Sequence, residues 1–236
     1  MIILSVDCSA NPASVALVQD EKILGDFFIN TKITHSQTLM VMIEALLKAT
    51  NTDKNSVDAF AVTAGPGSFT GVRIGVSAIK GMSLALSKPC VSVSTLESMA
   101  YNIANKSCVV CAVMDARCCQ VYNALFKVEN GEIKRLCEDR ALSIADLTNE
   151  LKGYSESIIL VGDGASICYN TMKAEIKDIE LAGEAVRYQR ASSVGLCAYK
   201  KYQNGETLSS DELMPTYLRL PQAERELKKK KQEELK

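Results

Sequence analysis

Ile2-Ile3-Leu4-Ser5-Val6-Asp7 and Cys108-Val109-Val110-Cys111-Ala112-Val113-Met114-Asp115 are two apolar runs that each end on an aspartate. Both are strand-sized, and in each case two more strand-like segments follow before any helical pattern begins. After the first run come Val15 to Gln19 and Lys22 to Ile29; after the second come Gln120 to Lys127 and Ile133 to Ala141, joined through an Asn130-Gly131 turn. A second landmark also recurs. An apolar strand runs into Gly65-Pro66-Gly67, and another runs into Gly162-Asp163-Gly164. A spacing of about 100 residues between the members of each pair marks an internal duplication. The sequence therefore predicts an α/β protein of two related lobes, each a mixed sheet with a hairpin meander at one edge and helices on its faces. The expected division is 1–105 for the first lobe, 106–221 for the second and 222–236 for a charged tail, a frayed helix or disordered segment containing Lys228 to Lys231.

Helices are expected at Ser36 to Ala49, Gly71 to Leu86, Ala145 to Lys152, Ser166 to Lys173 and Ser192 to Gln203, with a short one ending near Asn105. Further strands are expected at Ala59 to Thr63, Cys90 to Val93, Ile158 to Val161 and Ile179 to Ala182.

Composition narrows the chemistry. The chain has 236 residues, 47% hydrophobic and 23% charged, and a single histidine, His35. A zinc site of the H-E-x-x-H kind needs two histidines, and a Ser-His-Asp triad or Cys-His dyad would have to be built on His35 alone. His35 instead sits between Thr34 and Gln37, which are spaced as a capping box at a helix entrance. A net charge of -1 supplies no overall attraction for nucleic acid or an anionic membrane. The N-terminal apolar run lacks a basic flank and is cut short by Asp7, and no run is membrane-sized, so a cytoplasmic protein is expected.

The 9 cysteines are an odd number, and Cys108, Cys111, Cys168 and Cys197 lie in apolar stretches where a thiol behaves as a small hydrophobe. Cys108 and Cys111 form a C-x-x-C, but three apart on a strand they face opposite ways. No metal site is expected. Cys118-Cys119 follows a strand end and is the pair open to exposure and oxidation.

The segment Thr63-Ala64-Gly65-Pro66-Gly67-Ser68-Phe69-Thr70-Gly71-Val72-Arg73-Ile74-Gly75 reads as strand, glycine-rich turn and helix start, with Ser68 or Thr70 as cap. Such a turn can cradle an anion or serve only the backbone. It is no Walker A loop, since Val72 follows Gly71, and the third Rossmann glycine falls on Thr70. Asp7 either holds a metal-bound phosphate or caps a turn. The phosphate-loop-like positions are thus Asp7, Ser9, Gly67 and Gly164. The helix from Gly71 to Leu86 carries only Arg73 and Lys80 as charges, and Leu39-Met40-Val41-Met42-Ile43 cannot all face one side. The two helices predict an exposed apolar surface that a partner covers.

Asp7-x-Ser9 with Ser14-Val15-Ala16-Leu17, Ala64-Gly65-Pro66-Gly67-Ser68-Phe69-Thr70-Gly71-Val72-Arg73-Ile74-Gly75, Met114-Asp115-Ala116-Arg117 and Pro215-x-Tyr217-Leu218-Arg219 resemble the TsaB (YeaZ) family, over the chain to about Arg225. That resemblance implies an actin/Hsp70-like (ASKHA, RNase H-like) fold and a part in making threonylcarbamoyladenosine at position 37 of ANN-decoding tRNAs. It also implies a non-catalytic role. The H-x-x-x-H metal ligands of the related catalytic TsaD subunits fall on Thr95 and Met99 here. The implied partners are a TsaD-type subunit, a TsaE-type ATPase in the full complex, a second copy when alone, and tRNA through the complex. Docking is implied for the first two helices, through Leu39, Met42, Ile43, Leu46, Val72, Arg73, Gly75, Val76 and Ile79. No intrinsic cofactor is implied, with ATP or ADP bound in the complex. The competing reading is a stand-alone ATPase or glycoprotease. Cys118-Cys119 departs from the family, whose members carry a basic or small residue followed by glycine there.

Overall fold

A computed structural model describes residues 1–219. The tail, 222–236 with its lysine run, lies outside the described residues. The elements are β1 (Ile2–Asp7), β2 (Ala13–Gln19), β3 (Lys22–Ile29), α1 (His35–Ala49), β4 (Ala59–Gly65), α2 (Phe69–Leu86), β5 (Cys90–Ser94) and α3 (Thr95–Ala100) in the first half. The second half contains β6 (Cys108–Asp115), β7 (Gln120–Glu129), β8 (Glu132–Arg135), β9 (Arg140–Ser143), α4 (Ile144–Leu151), β10 (Ile158–Val161), α5 (Ala165–Met172), β11 (Ile179–Leu181), α6 (Glu184–Arg187) and α7 (Ala191–Gln203).

The strands form two sheets, ordered β3-β2-β1-β4-β5 and β8-β7-β6-β10-β11. In both, the central strand pairs antiparallel with the next strand in sequence and parallel with the strand after the first long helical excursion. The two sheets are one topology written twice, as the repeated aspartate and glycine landmarks predict. This is the duplicated, RNase H-like lobe of the actin/Hsp70-like fold.

The expected strand Ile133 to Ala141 is two strands. Leu136 still donates its N–H to Leu125 O at 2.8 Å, but the Leu125 N–H bonds the Cys137 sulfur at 3.3 Å. Arg135 then pairs with Asp139 at 2.6 Å across the bend. The apolar pattern could not show this, because a side-chain sulfur replaces a backbone carbonyl at the break.

Alternation along the central strands separates the cores. In β1, Leu4 and Val6 face α1 and α2, while Ile3 faces Val194, Cys197 and Ala198 of α7. In β6, Val110, Ala112 and Met114 face α3, while Val109, Cys111 and Val113 face α4 and α5. Cys108 and Cys111 accordingly fall in different cores, as their spacing requires.

Each sheet takes its strands from one half of the chain, but the helices cross the 105/106 boundary. α3 packs on β6 and β7 of the second sheet, through Leu96 and Met99, and α7 packs back on β1 and β2 of the first. The expected boundary thus separates the two sets of strands, while the lobes exchange covering helices across it, α3 lying also against β4 and β5 of its own sheet. Gly195 makes the docking of α7 possible, since a Cβ there would meet Val18 Cγ2 and Ser5 Oγ. The start of α7 is fixed by Ser5 Oγ donating to Ala191 O and Ala191 N–H donating to Ser14 Oγ, both 2.7 Å. After α7 the chain also returns to the first lobe. Leu208 bridges Cys90, and Leu213 is fully buried in the core under α1 and α2.

Candidate functional site

The lobes enclose a cleft of about 730 Å³. Its walls are the β1–β2 turn (Ser9 to Asn11), the turn leading into α2 (Pro66 to Gly71), the β6–β7 turn (Met114 to Arg117), Asp163, and the returning segment Thr216 to Arg219. Every strand end here is a C-terminal end of a central parallel pair, where doubly wound sheets place ligands.

The two landmark aspartates make the same local structure. Asp7 Oδ1 accepts the Ser9 N–H at 2.8 Å and Asp115 Oδ1 accepts the Arg117 N–H at 2.7 Å, so both cap the turn that follows. They differ in burial. Asp115 is exposed on the cleft wall, whereas Asp7 is 1% exposed and its Oδ1 also takes the Ser9 hydroxyl at 2.7 Å. Burial pushes the Asp7 carboxyl above its usual range, against the lowering effect of Ser9, Thr63 and His35. Its Oδ2 has no partner.

Of the four phosphate-loop-like positions, Ser9 and Gly67 line the cleft together. Asp7 sits behind that wall, and Gly164 lines a separate cavity on the far side of the Asp115 turn. Gly67 serves close packing, because a Cβ there would collide with Ser9 O, which accepts the Ser68 N–H at 2.6 Å. Gly71 likewise leaves room for Cys8 O and the His35 ring. Ser68 is the α2 cap, taking the Gly71 N–H at 3.3 Å, so two amides at this helix start are already engaged.

His35 is the first residue of α1 and its Nε2 lies 2.8 Å from Ala10 O, tying the helix entrance to the β1–β2 turn. The expected capping box does not form. Thr34 makes no side-chain cap bond, its hydroxyl lying 3.4 Å from Ser36 Oγ instead.

The cleft holds residues that the sequence reading assigned to no site, some of them within the quoted motifs. Lys32, Arg117 and Arg219 give it cationic groups, and Phe69, Tyr122 and Tyr217 give it aromatic faces. Asp163 is pushed up to about 6 by burial, with Asp115 and Asp7 adding to the rise against a 3.1 Å bond from Gln189 Nε2. Two motifs far apart in sequence meet here. Tyr217 stacks on Phe69 at 4.6 Å and its hydroxyl accepts from Arg73 Nε at 2.8 Å, while the Arg73 guanidinium lies 3.8 Å above the Phe69 ring. Thr216 N–H bonds Ala64 O at 2.7 Å, and Arg219 reaches across the cleft to Ala116 O at 2.9 Å.

The candidate docking residues also have a place inside the lobe. Leu39, Met42, Ile43 and Leu46 of α1, and Val72, Gly75, Val76 and Ile79 of α2, are buried in the first lobe's own core. Their i, i+3, i+4, i+7 spacing is the stripe that seats a helix on its own sheet. Each large aliphatic buried there stabilises the lobe by roughly 1.5–3 kcal/mol. Arg73 is exposed but engaged by Phe69 and Tyr217. Lys80 is held by Leu213 O at 3.1 Å and Asp211 O at 3.3 Å, so the charged stripe of α2 is covered by the chain's own returning segment. What remains outside is Met40 (51% exposed) and Val41 (64%) with Ala45 on α1, and Leu84 (68%) with Gly81 and Ala85 on α2. Among the described residues nothing lies within 4 Å of a Cβ placed on Gly81.

Thr95 opens α3 and Met99 lies near its end, both fully buried. Met99 belongs to the second lobe's core and its sulfur stands beside Gly162. Among the described residues no helix is long and apolar enough to cross a membrane.

Two exchanged lobes of one repeated topology around a cleft define an actin/Hsp70-like protein. Its relatives sharpen this. The profile of the family described as TsaD, tRNA N6-adenosine threonylcarbamoyltransferase, matches residues 22–227, and the chain belongs to that family. It is 28% identical to the tRNA threonylcarbamoyladenosine biosynthesis protein TsaB of Bacillus subtilis, over 95% of this chain and 96% of that one. A tRNA N6-adenosine threonylcarbamoyltransferase of Prosthecochloris aestuarii, also 28% identical, aligns over only 43% of this chain and 34% of its own. The structure of YeaZ from Pseudomonas aeruginosa shares the fold, with a TM-score of 0.77 at 24% identity, covering 92% of this chain and 99% of that one.

Proposed function

We propose that this chain is the non-catalytic partner of a TsaD-type subunit in threonylcarbamoylation of adenosine 37 of ANN-decoding tRNAs. The reading is supported by the full-length likeness to a TsaB protein: the transferase-family profile also spans residues 22–227, but the Prosthecochloris aestuarii transferase itself aligns over less than half of this chain. The observation that carries the docking role is the apolar outer face of α1 and α2. Met40, Val41 and Leu84 are large, apolar and more than half exposed on neighbouring helices, where Ala45, Gly81 and Ala85 are also exposed, with Glu44 and Lys48 as the charged residues of the same side of α1. Exposing such a face to water is unfavourable, and on this reading a partner helix pair covers it. Gly81 supports the same reading, because it weakens the helix by about 1 kcal/mol while no atom of the described residues needs the space. The same face would join two copies when the chain is alone.

On this reading tRNA and a TsaE-type ATPase engage the complex rather than this chain by itself, and the work is done in the cytoplasm. ATP or ADP belongs to the assembled complex, with the aromatic and cationic cleft walls as this chain's contribution. A stand-alone ATPase or peptidase is not favoured: the turn amides at Ser9, Ser68, Gly71 and Arg117 already serve internal bonds. The test is reconstitution. The cognate TsaD-type subunit should modify tRNA in the presence of this chain and lose that activity without it, while this chain alone turns over neither nucleotide nor peptide. Turnover by the isolated chain, or full modification without it, would overturn the proposal.

A further inference from the structure

The β6–β7 turn carries the two exposed thiols of the described chain. All nine cysteines are free; six are buried, and Cys137 is half-buried with its sulfur engaged by the Leu125 N–H. Cys118 and Cys119 instead sit side by side on the surface. With Arg117 they form a run of three left-handed residues, φ 63°, 53° and 56°, a conformation that side chains other than glycine adopt at a cost. Beside them is a cavity of about 350 Å³ that both cysteines line, with Arg117 at its rim and Val121, Ile144 and Ile167 as apolar wall. That volume lies within the range of small-molecule sites.

We propose that this turn is a site of S-thiolation, at which one of the two thiols takes up a tripeptide thiol of the glutathione class as a mixed disulfide whose body occupies the cavity. The co-reactant is the corresponding low-molecular-weight disulfide. The cysteine thiolate attacks one of its sulfurs, a protein–glutathione S–S bond forms as the original S–S bond breaks, and the leaving thiolate takes up the proton the cysteine released. One thiol and one disulfide are consumed and one thiol and one mixed disulfide are formed, so the electrons balance. The Arg117 guanidinium can pair with a carboxylate of the tripeptide. Closure to a Cys118–Cys119 disulfide is disfavoured by geometry. Neighbouring Cα atoms across a trans peptide are about 3.8 Å apart, short of the roughly 4.4–6.8 Å that disulfides span. The adduct would also reach the main cleft, because Asp115 and Arg117 line both cavities.

The full chain is incubated with oxidised glutathione, and the product is read by intact mass and by non-reducing peptide mapping. The proposal expects one glutathionyl group per chain, on Cys118 or Cys119, removed by dithiothreitol, and none on a Cys118→Ser/Cys119→Ser variant of unchanged melting temperature. Ile167→Trp, at an exposed position on the cavity wall, should slow glutathione uptake by about tenfold while leaving alkylation of the same thiols by iodoacetamide unchanged. The proposal is overturned by no uptake, by equal labelling of Cys137 or the buried cysteines, by loss of two hydrogens in place of an adduct, or by an Ile167→Trp effect that is absent or equal for both reagents.

Discussion

Gly81→Ala separates what α2 needs for its own lobe from what it offers a partner. In a helix interior alanine is favoured over glycine by about 0.8–1.0 kcal/mol. The added methyl meets no atom of the described residues within 4 Å, so nothing among them offsets that gain. Gly81→Ala should therefore stabilise the isolated chain by about 0.5–1 kcal/mol, raising Tm by roughly 2–4 °C per kcal/mol at this size. Gly71→Ala makes the same chemical change ten residues earlier on the same helix, yet its methyl would run into Cys8 O and crowd the His35 ring. That variant should lose at least about 1 kcal/mol, because the backbone of the β1–β2 turn must move. The partner reads Gly81 differently. A methyl on the docking face holds two helices apart, so Gly81→Ala should weaken complex formation with the TsaD-type subunit even as the chain becomes more stable. Urea unfolding followed by circular dichroism at high dilution gives the stability, and titration calorimetry gives the affinity. A destabilised Gly81→Ala, or a stabilised one that binds as tightly as the wild type, would refute the reasoning.

Other perturbations probe the cleft and the returning segment. Asp163 has a folded-state pKa of about 6, above the 3.8 of the free carboxyl, so its burial costs stability above about pH 6, and that cost fades as pH falls towards 4. Asp163→Asn, which keeps an acceptor for Gln189, should stabilise the chain by about 1–3 kcal/mol at pH 7.5 and by almost nothing at pH 4; urea melts at the two pH values check the sign. Leu213 is fully buried against α1 and α2 although it lies after the last helix of the described chain. Leu213→Ala should cost about 2–5 kcal/mol, readable as a lowered urea midpoint with an unchanged slope.

Much of this architecture is legible from residues alone. Paired strands ending in Asp7 and Asp115, each followed by a meander, carry enough pattern to specify a duplicated α/β lobe, and both aspartates do cap their turns. The exchange of α3 and α7 between lobes is not legible, since a helix's period says that it covers a sheet and not which sheet. The proposed docking face is hidden for a related reason. Leu39-Met40-Val41-Met42-Ile43 shows an excess of apolar residues, but the stripe at Leu39, Met42, Ile43 and Leu46 belongs to the lobe's own core. The outward face is the complementary pair Met40 and Val41, which stands out only once the inward phase is assigned. Arg73 and Lys80 show a further limit. Their shared stripe is visible in sequence, whereas its cover, Asp211 to Tyr217, lies more than a hundred residues away with no period of its own.

Docking of the TsaD-type subunit on the outer face of α1 and α2 is tested most directly by Leu84→Arg, which places a charge on that face at a position 68% exposed, where the lobe's own packing is untouched. Sedimentation velocity of the wild-type chain mixed with its cognate TsaD-type subunit should show a heteromeric boundary. Leu84→Arg, with an unchanged circular dichroism spectrum and melting temperature, should lose that boundary and sediment as separate chains. A folded Leu84→Arg variant that still forms the complex at wild-type affinity would contradict the docking role.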